Sequence, residues 1–394
     1  MLPRKSAVVR YLVFAVIFVA GFVWLVTDSH SKTSDLTDIQ FDFDVWSTAN
    51  ESELQLEFNR LQREYGGDVQ MLPTVGSNNF TVSELRRHVL QMRQNRPKNP
   101  HPFHFVINPT SVCSGDIFLL VYVHSAPAHF KQRMAIRETW GGGRNFPDIV
   151  IKVIFLCGIV QTDEGRSVQD ALLLEADTYG DIVQEDFVDS YRNLTYKAIM
   201  GLKWVTLHCR HAQFLLKSDD DIFVNIFRLV AHLQRISVQQ RQPGDHVHQL
   251  LLCLVWYRMK VIRDQRSKWY LSPTEYPADV FPTYCSGSAF VLTPDVASAM
   301  FNVSFRVPFF WVDDFYVTGL LAREVGVSHQ NFNSAYMLSP SAFLHKFMEP
   351  NVSSALVVGH VHKINSLKIV WNGVLAEQRH NTGVPRSSSK PRSS

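Results

Sequence analysis

The sequence predicts an α/β body built on a mostly parallel sheet flanked by helices. Three observations point to it. Asp116-Ile117-Phe118-Leu119-Leu120-Val121-Tyr122-Val123 is a nearly continuous apolar run, typical of a strand buried on both faces. Helix-type and strand-type segments then alternate along the chain, the pattern of βα units. Finally, Phe214-Leu215-Leu216 runs straight into Lys217-Ser218-Asp219-Asp220-Asp221. Three carboxylates thus follow a strand, where α/β sheets bind ligands.

The elements follow in order. Helix signals cover residues 128–140, and a second strand covers 149–156. Residues 163–178 read as an amphipathic helix, 181–183 as a short strand and 193–208 as another helix. The strand at 214–217 delivers the Asp triplet at its carboxyl end. This body is expected to span residues 113–376. Ahead of it lies a polar stem, residues 28–112, with one helical stretch at 51–65 before Pro97, Pro100, Pro102 and Pro109 interrupt regular structure. Residues 377–394, rich in Ser, Pro, Lys and Arg, read as a disordered basic tail. No internal repeat is visible.

The amino end carries an address. Arg4, Lys5 and Arg10 precede an apolar run from Tyr11 to Val26, closed by Asp28. With the residues just before it, the segment reaches about 20 residues, enough to span a bilayer as a helix. A positive flank on the amino side keeps that end cytosolic and sends the rest across. Residues 1–6 then form a cytoplasmic tail and 7–27 a signal-anchor. The rival, a cleaved signal peptide, calls for a small-residue cleavage site, and Thr27-Asp28-Ser29-His30 is a poor one. Asn-x-Ser/Thr acceptors at Asn50, Asn79, Asn193, Asn302 and Asn351 agree with a lumenal body. The five cysteines, Cys113, Cys157, Cys209, Cys253 and Cys285, allow two disulfides and one thiol in an oxidising lumen. Their wide spacing excludes a compact zinc knuckle. Net charge is +3, with no basic repeats interleaved with aromatics, so no nucleic-acid partner is expected.

The acidic run has two readings. It is either a solvated turn or a site for a hard cation, Mn²⁺ or Mg²⁺, that relieves the repulsion among Asp219, Asp220 and Asp221. A metal held by one or two carboxylates completes its shell with water and substrate phosphates, which points to a nucleotide donor. Arg133 and Arg137, four apart, share a helix face and are either a pyrophosphate grip or a solvated basic face. Trp269 and Tyr270 offer faces for stacking on a sugar. Gly287, within Ser286-Gly287-Ser288-Ala289, allows a backbone to approach a ligand closely; the plain alternative for both is ordinary packing and a tight turn. Asp313-Asp314 opens an apolar helical stretch, where the helix dipole alone would stabilise carboxylates. The functional reading is a general base, tuned by the dry setting of Phe310 and Trp311. His360-Val361-His362 offers at most one metal ligand, and a lone histidine is more often not one.

Taken together, the blocks Arg133-Met134-Ala135-Ile136-Arg137-Glu138-Thr139-Trp140-Gly141, residues 185–197, Lys217 to Asn225, Ser267-Lys268-Trp269-Tyr270, Tyr284-Cys285-Ser286-Gly287 and Asp313-Asp314-Phe315-Tyr316 resemble the β-1,3-galactosyltransferase family of Golgi glycosyltransferases. That family also includes β-1,3-N-acetylglucosaminyltransferases. The resemblance extends over most of residues 114–372. It implies a GT-A fold, a UDP-sugar donor, Mn²⁺ (or Mg²⁺) and inversion at the anomeric carbon. Carried onto this chain, Asp219 and Asp221 bracket the ribose and the metal–diphosphate, with Asp220 between them. Asp314 takes the base position beside Asp313, His362 is a late metal ligand, and Arg133 and Arg137 lie near the nucleotide. The chain departs from the pattern in carrying Asp313-Asp314 where a Glu-Asp pair is usual. It also has an extra residue near Val317-Thr318-Gly319, an apolar stretch at 250–259 and the variant turn at 286–289.

The expected protein is a type II Golgi membrane enzyme transferring a hexose, galactose first, from a UDP-sugar to the 3-hydroxyl of an acceptor glycan on protein or lipid. The alternatives are the same transfer from UDP-N-acetylglucosamine, or an inactive membrane-tethered glycan-binding protein. Homo- or hetero-oligomers both remain open.

Overall fold

The computed structural model describes residues 46–65, 81–94, 97–142, 146, 148–161, 165–240, 247–347, 349, 355–361 and 363–382. The anchor expected at 7–27 and the part of the expected tail from 383 lie outside these residues. Among the described residues no helix is long and apolar enough to cross a membrane. The chain divides into two units, residues 1–102 and 103–394.

In the first unit, helices Glu51–Tyr65 and Val82–Gln94 pair. Each begins with a reciprocal capping box. Asn50 and Glu53 exchange backbone-to-side-chain hydrogen bonds of 3.0 Å, and Thr81 and Glu84 do the same at 3.4 and 2.9 Å. Leu54, Phe58 and Leu61 fall on one face of the first helix and close on Leu85 and Val89. Glu57 ties the pair together, accepting from Arg60 on its own helix and from Arg93 on the other. The stem thus holds a second helix beyond the one read at 51–65.

The strands are β1 (Phe105–Ile107), β2 (Leu119–His124), β3 (Ile151–Ile159), β4 (Ile182–Val188), β5 (Phe214–Asp219), β6 (Ile222–Val224), β7 (Leu251–Trp256), β8 (Tyr284–Leu292), β9 (Gln330–Asn331), β10 (Tyr336–Met337) and β11 (Val358–His360). All belong to the second unit. The main sheet has the order β1-β4-β3-β2-β5-β8-β7-β9. Strands β4, β3, β2 and β5 are parallel, β1 and β8 are antiparallel edges to that block, and β9 is parallel to β7. The sheet is therefore mixed α/β with a parallel centre.

Helices Phe130–Glu138, Gly165–Tyr179 and Leu194–His208 connect the parallel strands. β2 is buried at every residue, as its apolar run requires. The chain winds from β2 outward through β3 to β4, then returns to place β5 on the other side of β2. That reversal makes a crevice at the carboxyl ends of β2 and β5, where His124 and Asp219 are register partners. A small sheet, β10-β11-β6, lies beside it and carries the chain out of the Asp triplet.

Two boundaries differ from the sequence reading. β1 lies ahead of residue 113 yet pairs with β4, so the sheet begins within the expected stem. The last helix, Ile364–Thr382, continues past residue 377 because Val370, Trp371 and Val374 bury one face. Cys113–Cys209 ties the approach to β2 to the end of helix Leu194–His208, and Cys253–Cys285 joins β7 to β8. Cys157 is the buried thiol, and burial pushes it up to about 12.

Candidate active site

Strand β5 ends at Asp219, residues 220 and 221 turn, and β6 begins at Ile222. The turn splays the three carboxylates toward three different partners. Asp219 accepts a 2.6 Å hydrogen bond from Lys217, whose ammonium is buried and also donates to the Gly287 carbonyl. Asp220 Oδ2 accepts from Ser125 Oγ at 2.7 Å and lies 2.8 Å from His129 Nδ1. Asp221 Oδ2 lies 2.9 Å from His360 Nε2. The repulsion expected within the run is thus offset locally, each carboxylate having its own partners. Among the described residues no group of three or more His, Cys, Asp or Glu side chains converges as a metal cage. His362 lies outside the described residues; His360, at the end of β11, reaches the triplet at Asp221, as His129 does at Asp220.

These environments move the charges apart. Loss of water around Asp219, with repulsion from Asp313 and Asp221, pushes it up to about 6 despite Lys217. Burial pushes Asp221 the same way and is the largest single influence, but the His360 hydrogen bond and charge, with a backbone amide and Lys217, together outweigh it and hold Asp221 below its ordinary value. His360 is raised in turn by that bond. A pocket of about 550 Å³ opens on the outer side of Asp220 and Asp221, bounded by His129, Gln132, Val361 and Lys363. Its size suits a nucleotide-sized ligand.

Asp313 and Asp314 face the crevice from the other side. They open a helical segment, Asp313–Phe315, that widens into a π-turn at Tyr316–Leu321. Thr318 locks this segment to β8, accepting from Cys285 N at 2.8 Å and donating to the Asp314 carbonyl at 2.6 Å. Asp314 accepts from Phe315 N at 2.8 Å and from Gly287 N at 3.3 Å. Among the described residues no cation pairs with it directly. Burial first, then the charge of Asp313, push Asp314 up to about 7, so desolvation outweighs any benefit from the helix start. Gly287 permits this contact: a Cβ there would lie 3.0 Å from Asp314 Cβ and 3.3 Å from its Oδ2.

Between the two carboxylate groups stands His124, the last residue of β2. It is 5% exposed, and its Nδ1 lies 3.9 Å from Asp313 Oδ2. Burial, with Lys217 and Lys197 nearby, holds its pKa well below the ordinary value, so the ring is neutral. Tyr191 and Trp269 form an aromatic edge to the crevice. Trp269 is 49% exposed, and the Lys268 ammonium lies 4.5 Å from its ring centre and 5.2 Å from that of Tyr191. Arg192 stacks on Trp311 at 3.8 Å.

Arg133 and Arg137 are placed differently from either sequence reading. Arg133 is fully buried, and all five of its N–H groups are used. They reach both oxygens of Glu175, the Ser125 hydroxyl and the carbonyls of Ala126 and Pro127, at 2.6–3.1 Å. Arg137 forks onto Asp181 at 2.7 and 2.8 Å and reaches Glu175 at 2.7 Å. Arg133 has no donor left for a pyrophosphate, and Arg137 spends three of its five N–H groups on these two carboxylates. Arg133 fixes the loop after β2, which carries Ser125 to Asp220, and Arg137 shares its partner Glu175. Lys197 braces the same loop, donating to the Ser125 carbonyl at 2.7 Å and to Asp189 at 2.9 Å.

The sequence reading passed over Lys217, Ser125, His124, His129 and Tyr191 as site residues, and weighed His360 only within a pair offering at most one metal ligand. One signal was available for His124 and Ser125: they follow directly on the apolar run of β2, at its carboxyl end.

The chain matches the Galactosyltransferase family model over residues 131–333. It is 33% identical to mouse and human beta-1,3-galactosyltransferase 1 over 308 residues, 77% of this chain and 86% of theirs. Human beta-1,3-galactosyltransferase 2 is 30% identical over 297 residues, 74% of this chain and 67% of that protein. A solved galactosyltransferase, LgtC, with donor and acceptor sugar analogs, aligns at 10% identity and a TM-score of 0.32 over 67% of this chain and 99% of its own, a likeness too distant to carry an inference. Sequence identity over most of both chains, with the family model spanning both acidic turns, makes this protein a member of the β-1,3-galactosyltransferase family.

Proposed function

We propose that this protein is an inverting β-1,3-galactosyltransferase that moves galactose from UDP-galactose to the 3-hydroxyl of an acceptor glycan. The observation that carries the reading is the chain of contacts across the crevice. Asp219 is held by Lys217, Lys217 also holds the Gly287 carbonyl, and the Gly287 amide meets the buried, uncompensated Asp314. One end of that chain is suited to a diphosphate and the other to a proton acceptor. A carboxyl near 7 is half ionised at neutral pH, which suits a base for a sugar hydroxyl. Asp314 takes the proton of the acceptor 3-hydroxyl as its oxygen bonds to the anomeric carbon. The bond from that carbon to the phosphate oxygen breaks on the opposite face, and UDP leaves with the electron pair. Trp269 and Tyr191 line the side from which an acceptor sugar approaches.

The donor set fits a divalent cation. Asp221 offers a carboxylate held in its ionised form, and His360 an imidazole nitrogen beside it. Two protein ligands with a substrate diphosphate are a usual shell for Mn²⁺ or Mg²⁺; Asp219 and His362 are the further candidates. When bound, such a cation neutralises charge on the departing diphosphate. The GT-A architecture is supported by family membership and by the parallel β4-β3-β2-β5 centre. A Golgi address as a type II membrane protein is supported by the charged and apolar pattern of residues 1–28 and by the two disulfides.

Full-length protein in detergent, supplied with Mn²⁺ and a panel of UDP-sugars, tests the reading through UDP release with and without glycoside acceptors. Release from UDP-galactose that an acceptor stimulates is expected. Silence with every donor, together with no metal-dependent UDP binding, would overturn it.

A further inference from the structure

His124 is the one buried histidine among the described residues with neither ring nitrogen hydrogen-bonded. Leaving such a group unpaired costs about 1–3 kcal/mol, so an orphan in a crevice calls for a partner that arrives with the ligand. A neutral imidazole presents one N–H donor and one acceptor nitrogen. Asp313 Oδ2, at 3.9 Å, is too far for a hydrogen bond to His124 Nδ1. The gap does suit a third atom. An oxygen at about 2.8 Å from each fits over the pair, accepting from the imidazole and donating to the carboxylate. A hydroxyl has that double character; a phosphate oxygen does not.

We infer that His124 and Asp313 together hold one hydroxyl of the hexose carried by the donor. The inference rests on the transferase reading and deepens it. The anomeric carbon must sit between the diphosphate and the base. His124 stands there, paired in register with Asp219 of the triplet and facing Asp313, the neighbour of Asp314. Its successor Ser125 is hydrogen-bonded to Asp220, which fixes the backbone on the diphosphate side. His124 is thus a substrate-contacting residue that reads the sugar, and it contributes to the choice among UDP-hexoses. A site that hydrogen-bonds a substrate hydroxyl rejects analogues lacking it far more strongly than an apolar pocket rejects a size change.

The test compares full-length wild type with His124→Leu and His124→Gln. The readouts are kcat/KM for UDP-galactose, KM for the acceptor, affinity for UDP and melting temperature. His124→Leu should lower kcat/KM for the donor by about ten- to a hundredfold. Affinity for UDP, which has no hexose, and the acceptor KM should stay within about twofold. Melting temperature should hold or rise, since an unpaired polar ring is replaced by an apolar side chain. His124→Gln, which keeps a donor and an acceptor, should recover part of the loss. An active wild type with an unchanged donor kcat/KM in His124→Leu would overturn the assignment. So would an effect confined to the acceptor KM, or equal losses of UDP affinity and melting temperature. A wild type that turns over no UDP-sugar would overturn the transferase reading and the inference with it.

Discussion

The crevice holds two acidic turns that the fold treats in opposite ways. At residues 219–221 each carboxylate has its own cationic or hydrogen-bonding partner, drawn from β5, the loop after β2 and β11. At residues 313–314, Asp314 has backbone amides and a buried setting, but no paired cation among the described residues. The first arrangement keeps Asp221 ionised and suits it to hold charge. The second lifts Asp314 to about 7, where a proton can come and go. The same residue type thus takes two roles, set by what lies within hydrogen-bond reach.

The sharpest way to break the contrast is to neutralise the second turn. Asp314→Asn is expected to cut kcat by a thousandfold or more, about 4 kcal/mol in the barrier, while UDP affinity stays near wild type. The substitution carries a stability signature of known sign. A carboxyl raised above its unfolded value costs stability as it ionises, so Asp314→Asn should melt above wild type at pH 8, with the gain shrinking toward pH 4. Equal kcat in the variant would remove Asp314 from the chemistry.

The next effect falls on the loop that supports the first turn. Arg133→Met leaves Glu175 with Arg137 alone and frees the Ala126 and Pro127 carbonyls. Removing one partner of a buried pair costs about 3–5 kcal/mol, which denaturant unfolding would read. A variant that kept wild-type stability but lost UDP affinity would restore Arg133 as a ligand residue. A smaller effect is expected from His360→Ala. It should weaken Mn²⁺-dependent UDP binding by about ten- to a hundredfold, and calorimetry without Mn²⁺ should show little difference. Loss of affinity to the same degree with and without Mn²⁺ would mean that His360 acts on UDP directly.

How much of this was legible in the sequence differs along the chain. The parallel centre was, because β2, β3 and β5 are apolar runs separated by helix-period segments. β4 extends to Val188, well past 183, and its continuation was hidden because Gln184 and Glu185 are buried polar residues. Gln184 pairs with Gln169 at 2.7–2.8 Å and Glu185 with Lys203 at 3.0 Å, partners that lie in other elements. Helix Val82–Gln94 carried a readable start in Thr81-x-x-Glu84, outweighed by the polar composition around it. The acidic turns stood out as residues, but their chemistry did not. That Asp219 meets Lys217 is local, whereas Asp221 meets His360 across 139 residues. The spacing of Arg133 and Arg137 gave a shared helix face without its direction. Glu175 and Asp181, which turn that face inward, come about 40 residues later.

The measurement that bears most directly on the division between the two turns is the pH dependence of kcat/KM for wild type and Asp313→Asn. Wild type should lose activity as pH falls through about 7, because protonation removes the base. Removing the charge of Asp313, which helps to raise Asp314, should move that acid limb to lower pH. An acid limb that stayed in place in Asp313→Asn, or a wild-type rate that did not fall between pH 7 and pH 5, would contradict the assignment of the base to this turn.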